Sequence, residues 1–276
     1  MQAFAPSTLR EALEIRASHP EAVPVAGGTD LMVEVNARRL RPVALLDLSR
    51  VEELRAWGRD DGRMFVGAGV TFARILRELG EFPPLVEAAR SVASPQIRNR
   101  ATIGGNLVTA SPAGDSIPVL AVYDAEVVVA SASASPRRIR LADFLVGPKR
   151  TSLAPDEIVL GVEWQPVAGP GSFSKVGRRS AMVIAIASAA LQVDEVHGSV
   201  RLALGSVAPT VVRAPLAECF AEGLDWSDPA TLAEFGRLAA SEARPIDDLR
   251  GSAEYRRHVV EVLARRALGR AGAVRC

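Results

Sequence analysis

Short apolar runs broken by Gly, Pro, Asp and Ser fill the first 165 residues. Val43–Leu48, Met64–Gly67, Ala125–Ala130 and Glu157–Trp164 have the length and composition of buried strands. Between them, Thr8–Ala17, Phe72–Leu79 and Pro84–Val92 carry helical patterns, the first opened by a Ser7 cap with Arg10–Glu11 supplying part of a capping signature. This alternation predicts α/β or α+β layering. A Pro/Gly-rich break follows at Pro166–Ser172, and the pattern changes beyond it. Val183–Val193 reads as a strand or a buried helix, and Val200–Val207 as a strand. Helical segments follow at Ala214–Glu222, Thr231–Ala243 and Ser252–Arg270. In the last of these Tyr255, Val259, Val262, Leu263 and Ala267 recur at helical spacing. These features predict a first domain over 1–167, with parts of about 1–54 and 55–167, and a second over 168–276.

Composition narrows the function classes. The chain has 276 residues, with Lys+Arg 33 against Asp+Glu 32 and a formal net charge of +1. That balance gives no electrostatic reason to expect a nucleic acid or a membrane surface as partner. Cys219 and Cys276 cannot build a disulfide scaffold, a Cys₄ zinc site or an iron–sulfur cluster within one chain. The opening residues lack a signal-peptide stretch, and the apolar run Ala181–Leu191 falls short of the roughly 20 residues that span a bilayer. The expectation is a cytoplasmic protein with no membrane span.

Hydrolytic motifs are missing: there is no G-x-S-x-G, no H-E-x-x-H and no P-loop. His19, His197 and His258 lie in polar contexts without metal-ligand spacing, as surface residues do. Gly67-x-Gly69 resembles the start of a dinucleotide fingerprint, but the bulky Phe72 stands where a small residue is required. A tight strand-to-helix turn accounts for it. Two further segments suit an anion. In Val25–Val35 a short apolar approach leads into Gly27-Gly28, with Thr29 and Asp30 as the cap of a helix. In Arg98–Val127 a turn of Thr102, Gly104, Gly105 and Asn106 precedes a polar loop with Ser111, Pro112 and Asp115. Each alone reads as a glycine turn; together they offer two backbone nests, which suits a diphosphate.

Four stretches, "AGGTDL", "SPQIRNRATIGGNLVTASPAGDSIPVLAVYDA", "FSKVGRRSAMVIA" and "PIDDLRGSAEYRRHVVEVLARRAL", resemble the FAD-binding medium subunit of the molybdenum hydroxylases in order and spacing. That family includes xanthine dehydrogenase and carbon monoxide dehydrogenase. The resemblance implies an α+β fold: a two-part FAD-binding domain of the PCMH-like type, then a smaller domain with an antiparallel sheet and helices. It also implies a division of labour. This chain would carry FAD, a large subunit the molybdenum cofactor and a small subunit two [2Fe–2S] clusters, as a dimer of heterotrimers. NAD⁺ or another acceptor would take the electrons. Carried over, Val25, Ala26, Gly27, Gly28, Thr29, Asp30 and Leu31 would form one loop over the FAD pyrophosphate. Ala101, Thr102, Ile103, Gly104, Gly105 and Asn106 would form the second, with Ser111 beside it. Asp115 would lie near the polar edge of the isoalloxazine, Leu160 near the ring or its neighbouring chain, and Lys175 would approach from the C-terminal domain. The acidic residue usual a few positions beyond "GRR" is absent, Met182 and Val183 standing in that region. The insertion that carries a [4Fe–4S] cluster in some relatives is also absent.

Three function classes stay open on the residues. An electron-transferring flavoprotein subunit leads, with purine hydroxylation on the partner as the first expectation and carbon monoxide or N-heterocycle oxidation as alternatives. A stand-alone flavin oxidoreductase would need a general acid or base beside the ring, and the motifs hold no histidine or tyrosine. A scaffold without flavin would have no use for two anion nests. Arg178 and Arg179 suit either an anion such as a nicotinamide dinucleotide or a plain solvated turn, and Ala181–Leu191 either a subunit interface or a buried element.

Overall fold

The structure, a computed structural model, describes residues 2–275, without the Arg275 side chain; the second cysteine, Cys276, lies outside them. The chain divides into two compact units whose segments interleave. One is built from residues up to Arg77 with Ser94–Ala110 and Ala125–Gln165, the other from Glu78–Ala93, Ser111–Asp124 and the chain from Pro166 on. Two short stretches that precede the Pro/Gly break along the chain are therefore packed with the residues beyond it.

In the first unit a parallel three-stranded sheet places Ala44–Asp47 between Gln2–Phe4 and Ala22–Val25. Helix Leu9–Ser18 packs on it and buries Ala12. Thr8, not Ser7, caps that helix: its Oγ1 accepts the Glu11 N–H at 3.2 Å, while the Glu11 carboxylate accepts the Ser7 N–H at 2.8 Å. This reciprocal exchange satisfies an orphan donor at each end of the first turn.

A second sheet in the same unit is antiparallel, in the order Trp57–Asp60, Arg63–Gly67, Ile158–Trp164, Glu126–Ala130, Arg137–Arg140. Its ladder slips between Val159 and Gly161, so Leu160 is the extra residue of a bulge. The turn after Gly67 is a packing device: a Cβ on Gly67 would stand 2.3 Å from the Leu54 carbonyl oxygen, and Phe72 at the head of helix Phe72–Glu78 is core.

The second unit holds an antiparallel sheet of Gly171–Val176, Ala187–Asp194, Ser199–Gly205 and Val212–Arg213. Ala187–Asp194 is buried along its whole length, which resolves the strand-or-helix alternative in favour of a strand. Helices Pro215–Ala221, Pro229–Glu242 and Ala253–Arg275 share a core with this sheet through Trp226, Phe235, Leu263 and Leu268. The architecture is α+β, with antiparallel sheets joined by helices.

Candidate functional site

The parallel strand Ala22–Val25 ends where the Val25 carbonyl accepts the Leu48 N–H at 2.8 Å. Beyond it the chain turns through Gly28, held at φ +71, into the short helix Leu31–Asn36. Asp30 occupies the cap position in right-handed helical conformation and makes no side-chain cap bond, contrary to its expected capping role. The consequence is a row of free donors. Among the described residues, the N–H groups of Gly27, Gly28, Thr29, Asp30 and Leu31 have no acceptor within the chain. Gly28 is left-handed and Asp30 right-handed, with Thr29 between them, and free amides in such a turn suit an anion.

Gly27 fixes where this row lies. A Cβ there would meet the Arg100 carbonyl oxygen at 2.1 Å, so the loop rests directly on the backbone of the second glycine turn.

That second turn is not a second nest, as its glycines suggested. Ile103 N–H donates to the Val70 carbonyl and Gly104 N–H to the Ala68 carbonyl, both at 3.0 Å. Gly105 N–H goes to Thr102 Oγ1 at 3.0 Å and Asn106 N–H to the Thr102 carbonyl at 3.0 Å. Every amide at the head of helix Ile103–Thr109 is thus satisfied internally. The two glycines serve different ends. Gly104 is buried, and a Cβ there would stand 2.5 Å from the Ala68 Cβ; Gly105 is exposed, with only Thr102 Oγ1 nearby at 3.1 Å. The turn offers an open face and the Thr102 hydroxyl rather than a ring of amides.

Leu160 belongs to the same constellation: its carbonyl accepts the Ala68 N–H at 2.8 Å, continuing the ladder beyond Gly67. Val25–Leu31, Ala101–Asn106 and Leu160 are therefore tied together within the first unit. Beside them opens a cavity of about 560 Å³, walled by Ala26, Leu48, Ser49, Thr71 and Thr102 and by the arginines Arg55, Arg74 and Arg100. Glu52 also lines this cavity and pairs with Arg55 at 3.1 Å, and the wall, still cationic on balance, joins the donor row in favouring a phosphate-bearing ligand.

Ser111, Asp115 and Lys175 gather in the second unit. Ser111 Oγ accepts the Ala113 N–H at 3.2 Å and shapes its own loop. Asp115, at the head of helix Ser116–Val122, and Lys175, on Gly171–Val176, form a buried ion pair of 2.6 Å with each side chain 9% exposed. Asp115 and Lys175 lie on either side of the Pro/Gly break along the chain and come together within one unit. Lys175 Nζ also donates to the Ser91 carbonyl at 2.9 Å and the Val183 carbonyl at 3.0 Å, which fills its three donor positions. Asp115 Oδ1 is buried without a hydrogen-bond partner, and burial outweighs the pull of Lys175, holding the carboxyl above its ordinary range. No sequence motif marked Ser91 or Val183: each meets Lys175 through its backbone carbonyl, and the Ser91 side chain also favours the Asp115 carboxylate. Arg179 folds back onto the Ala181 carbonyl at 2.9 Å and the Met182 carbonyl, closing its own exposed turn.

Among the described residues no group of three or more His, Cys, Asp or Glu side chains could hold a metal ion. The row of unpaired amides suits a phosphate-bearing ligand. Comparison with known families makes this specific: residues 1–164 match the FAD binding domain in molybdopterin dehydrogenase, and residues 172–271 the CO dehydrogenase flavoprotein C-terminal domain. The chain belongs to this family of oxidoreductase flavoprotein subunits. It is 31% identical to a putative xanthine dehydrogenase FAD-binding subunit of Escherichia coli, over 96% of this chain and 94% of that one. It is 32% identical to a nicotine 6-hydroxylase medium subunit of Paenarthrobacter nicotinovorans, over 97% and 96%. Its fold is similar to that of a carbon monoxide dehydrogenase chain from Hydrogenophaga pseudoflava, with TM-score 0.91, 27% identity and coverage of 100% and 98%. A chain of quinoline 2-oxidoreductase from Pseudomonas putida 86 gives TM-score 0.90 at 28% identity, over 99% and 97%.

The residues present fit FAD, the cofactor of this family. The cradle closed by Gly27 has no room for a Cβ on the side of Arg100, and its free amides match a pyrophosphate in charge and donor type.

Proposed function

We propose that this chain is the FAD-carrying electron-transfer subunit of a cytoplasmic molybdenum hydroxylase assembled with a large molybdenum-cofactor subunit and a small [2Fe–2S] subunit. Bound FAD supplies the relay that accepts electrons from the iron–sulfur partner and passes them to NAD⁺ or another acceptor. The observation that carries this reading is the row of five unpaired amides from Gly27 to Leu31, set on the Arg100 carbonyl. These amides would hold the pyrophosphate, and the Thr102 hydroxyl would donate to it beside the open face at Gly105. In this reading Asp115 and Lys175 would be the residues that act on the isoalloxazine, the buried carboxylate as an acceptor and the paired Lys175 as a cation that offsets charge developing on reduction. Ser111 and Leu160 line the same ligand.

Purine oxidation on the large subunit is our first reading of the substrate. The similar identities to xanthine-, nicotine- and quinoline-oxidising relatives also support an N-heterocycle hydroxylase. The complex co-purified with its partners is expected to reduce an acceptor with xanthine in preference to nicotinate or carbon monoxide; preference for either of the latter overturns the purine reading. The chain alone is expected to hydroxylate none of them, while retaining slow NADH-to-dye activity.

Gly105→Val tests the cradle. The position is exposed and near only Thr102 Oγ1, so the variant is expected to fold with native circular dichroism. Its side chain would stand on the ligand face, and flavin absorbance of the purified protein is expected to fall by more than about tenfold, which for a site near saturation requires a loss of well over about 1.4 kcal/mol of binding. Full occupancy would place the pyrophosphate elsewhere.

A further inference from the structure

The Lys175–Asp115 pair lies at the end of two backbone segments, and one buried guanidinium holds both. Arg256, near the start of helix Ala253–Arg275, is 3% exposed. It donates to the Ile186 carbonyl, to the Ser206 carbonyl at 2.9 Å and to Asp248 Oδ1 at 2.6 Å. Each carbonyl leads to one member of the pair. Ile186 N–H donates to the carbonyl of Val176, the residue after Lys175, at 2.8 Å. Three residues before Ile186, the Val183 carbonyl accepts from Lys175 Nζ. On the other side Ser206, held at φ 63, donates its N–H to the Pro112 carbonyl at 2.7 Å, three residues before Asp115.

We propose that Arg256 is a positioning residue that fixes the Val183–Ile186 and Pro112–Asp115 segments and thereby sets the geometry of the Lys175–Asp115 pair. A buried ion pair is a weak source of stability compared with apolar packing, so its value here lies in specificity. One planar guanidinium reaches two carbonyls on separate segments in a fixed geometry that a leucine or methionine would leave free to slide. Asp248 orients it in turn. The Arg250 N–H donates to the Asp248 carboxylate at 2.7 Å, and although burial opposes ionisation, that bond and Arg256 hold the carboxyl down to about 2.

The sequence contains just two lysines, Lys149 and Lys175, which makes the test direct. Lys149 is 64% exposed and serves as an internal reference for amine acylation read by peptide mass spectrometry. In the full chain Lys175 is expected to be protected relative to Lys149. Arg256→Met is expected to raise Lys175 labelling roughly tenfold at native circular dichroism, whereas Phe235→Leu, a core truncation in the same unit, leaves it protected. Unchanged protection in Arg256→Met, or equal labelling in Phe235→Leu, would overturn the proposal. Should Arg256→Met fail to fold, Asp248→Asn loosens the same guanidinium and is judged by the same criterion. A second readout rests on the placement of the pair beside FAD. Arg256→Met is expected to shift the flavin midpoint potential in the same direction as Lys175→Met. If Lys175→Met leaves the potential unmoved, the flavin placement fails, while the labelling result still decides the role of Arg256.

Discussion

Gly27→Ala is expected to lose both flavin and stability, the heaviest effect of any single methyl group in the chain. Its Cβ would stand 2.1 Å from the Arg100 carbonyl oxygen and 2.7 Å from the carbonyl carbon, atoms of backbone that cannot rotate away. The loop or the Asn99–Thr102 turn must move, and forced overpacking costs about 1–3 kcal/mol. Moving the loop also disperses the five amides whose convergence the anion requires. The neighbouring glycines separate by mechanism. Gly28→Ala keeps its space, with Met32 Cγ at 3.4 Å, but holds an L-residue at φ +71, which costs about 1–2 kcal/mol. Gly104→Ala is expected to lower thermal stability through its overlap with Ala68, and Gly105→Ala to leave it near native. Thermal unfolding together with the ratio of flavin to protein absorbance separates these outcomes. A flavin-replete Gly27→Ala protein of native stability would mean that the two loops do not rest on one another.

How far this division could be foreseen depended on what sets each element. Glu126–Ala130 and Ile158–Trp164 were legible because they are apolar runs bounded by breakers and buried on both faces. Ala187–Asp194 was ambiguous for the same reason, since complete burial erases the period of two that marks a strand. Gly171–Val176 does not read as a strand: its first two residues fall in the Pro/Gly break of Pro166–Ser172, and polar Ser174 and Lys175 interrupt the rest. Helix Ile103–Thr109 begins on two glycines and Ser116–Val122 contains Pro118, so propensity argued against both, and tertiary packing of Ile103, Leu107, Ile117 and Leu120 overrode it. The glycine motifs marked where to look but not which amides were free, because Val70 and Ala68, which quench the second turn, lie in a segment that reads as a packing turn. The Asp115–Lys175 pair joins residues 60 apart. No local pattern encodes that contact.

Breaking that pair is expected to produce the largest pH-dependent effects. Lys175→Met leaves the Asp115 carboxylate buried without its cation, and removing one partner of a buried pair costs about 3–5 kcal/mol. Burial already raises the Asp115 carboxyl above its ordinary range with Lys175 present, and without Lys175 it rises further. An acid whose folded-state pKa lies above its unfolded value favours the fold where it is protonated, and that support is lost as pH rises through the raised pKa. Lys175→Met is therefore expected to be less destabilised at pH 5 than at pH 8 in urea unfolding. With FAD bound and the pair at the ring as proposed, the same titration is expected to govern the potential. Where Asp115 stays ionised the ring gains a net negative neighbour and its midpoint falls; where Asp115 is protonated, the loss of Lys175 is nearly cancelled. Asp115→Asn leaves Lys175 without its counter-charge and is expected to raise the midpoint. A change of about 1.4 kcal/mol corresponds to roughly 59 mV for one electron, well within redox titration. The double variant Lys175→Met, Asp115→Asn restores neutrality and is expected to return towards the wild-type potential. Single-variant shifts of the same sign, or a double variant further displaced than either, would show that charge at this pair does not set the flavin's potential.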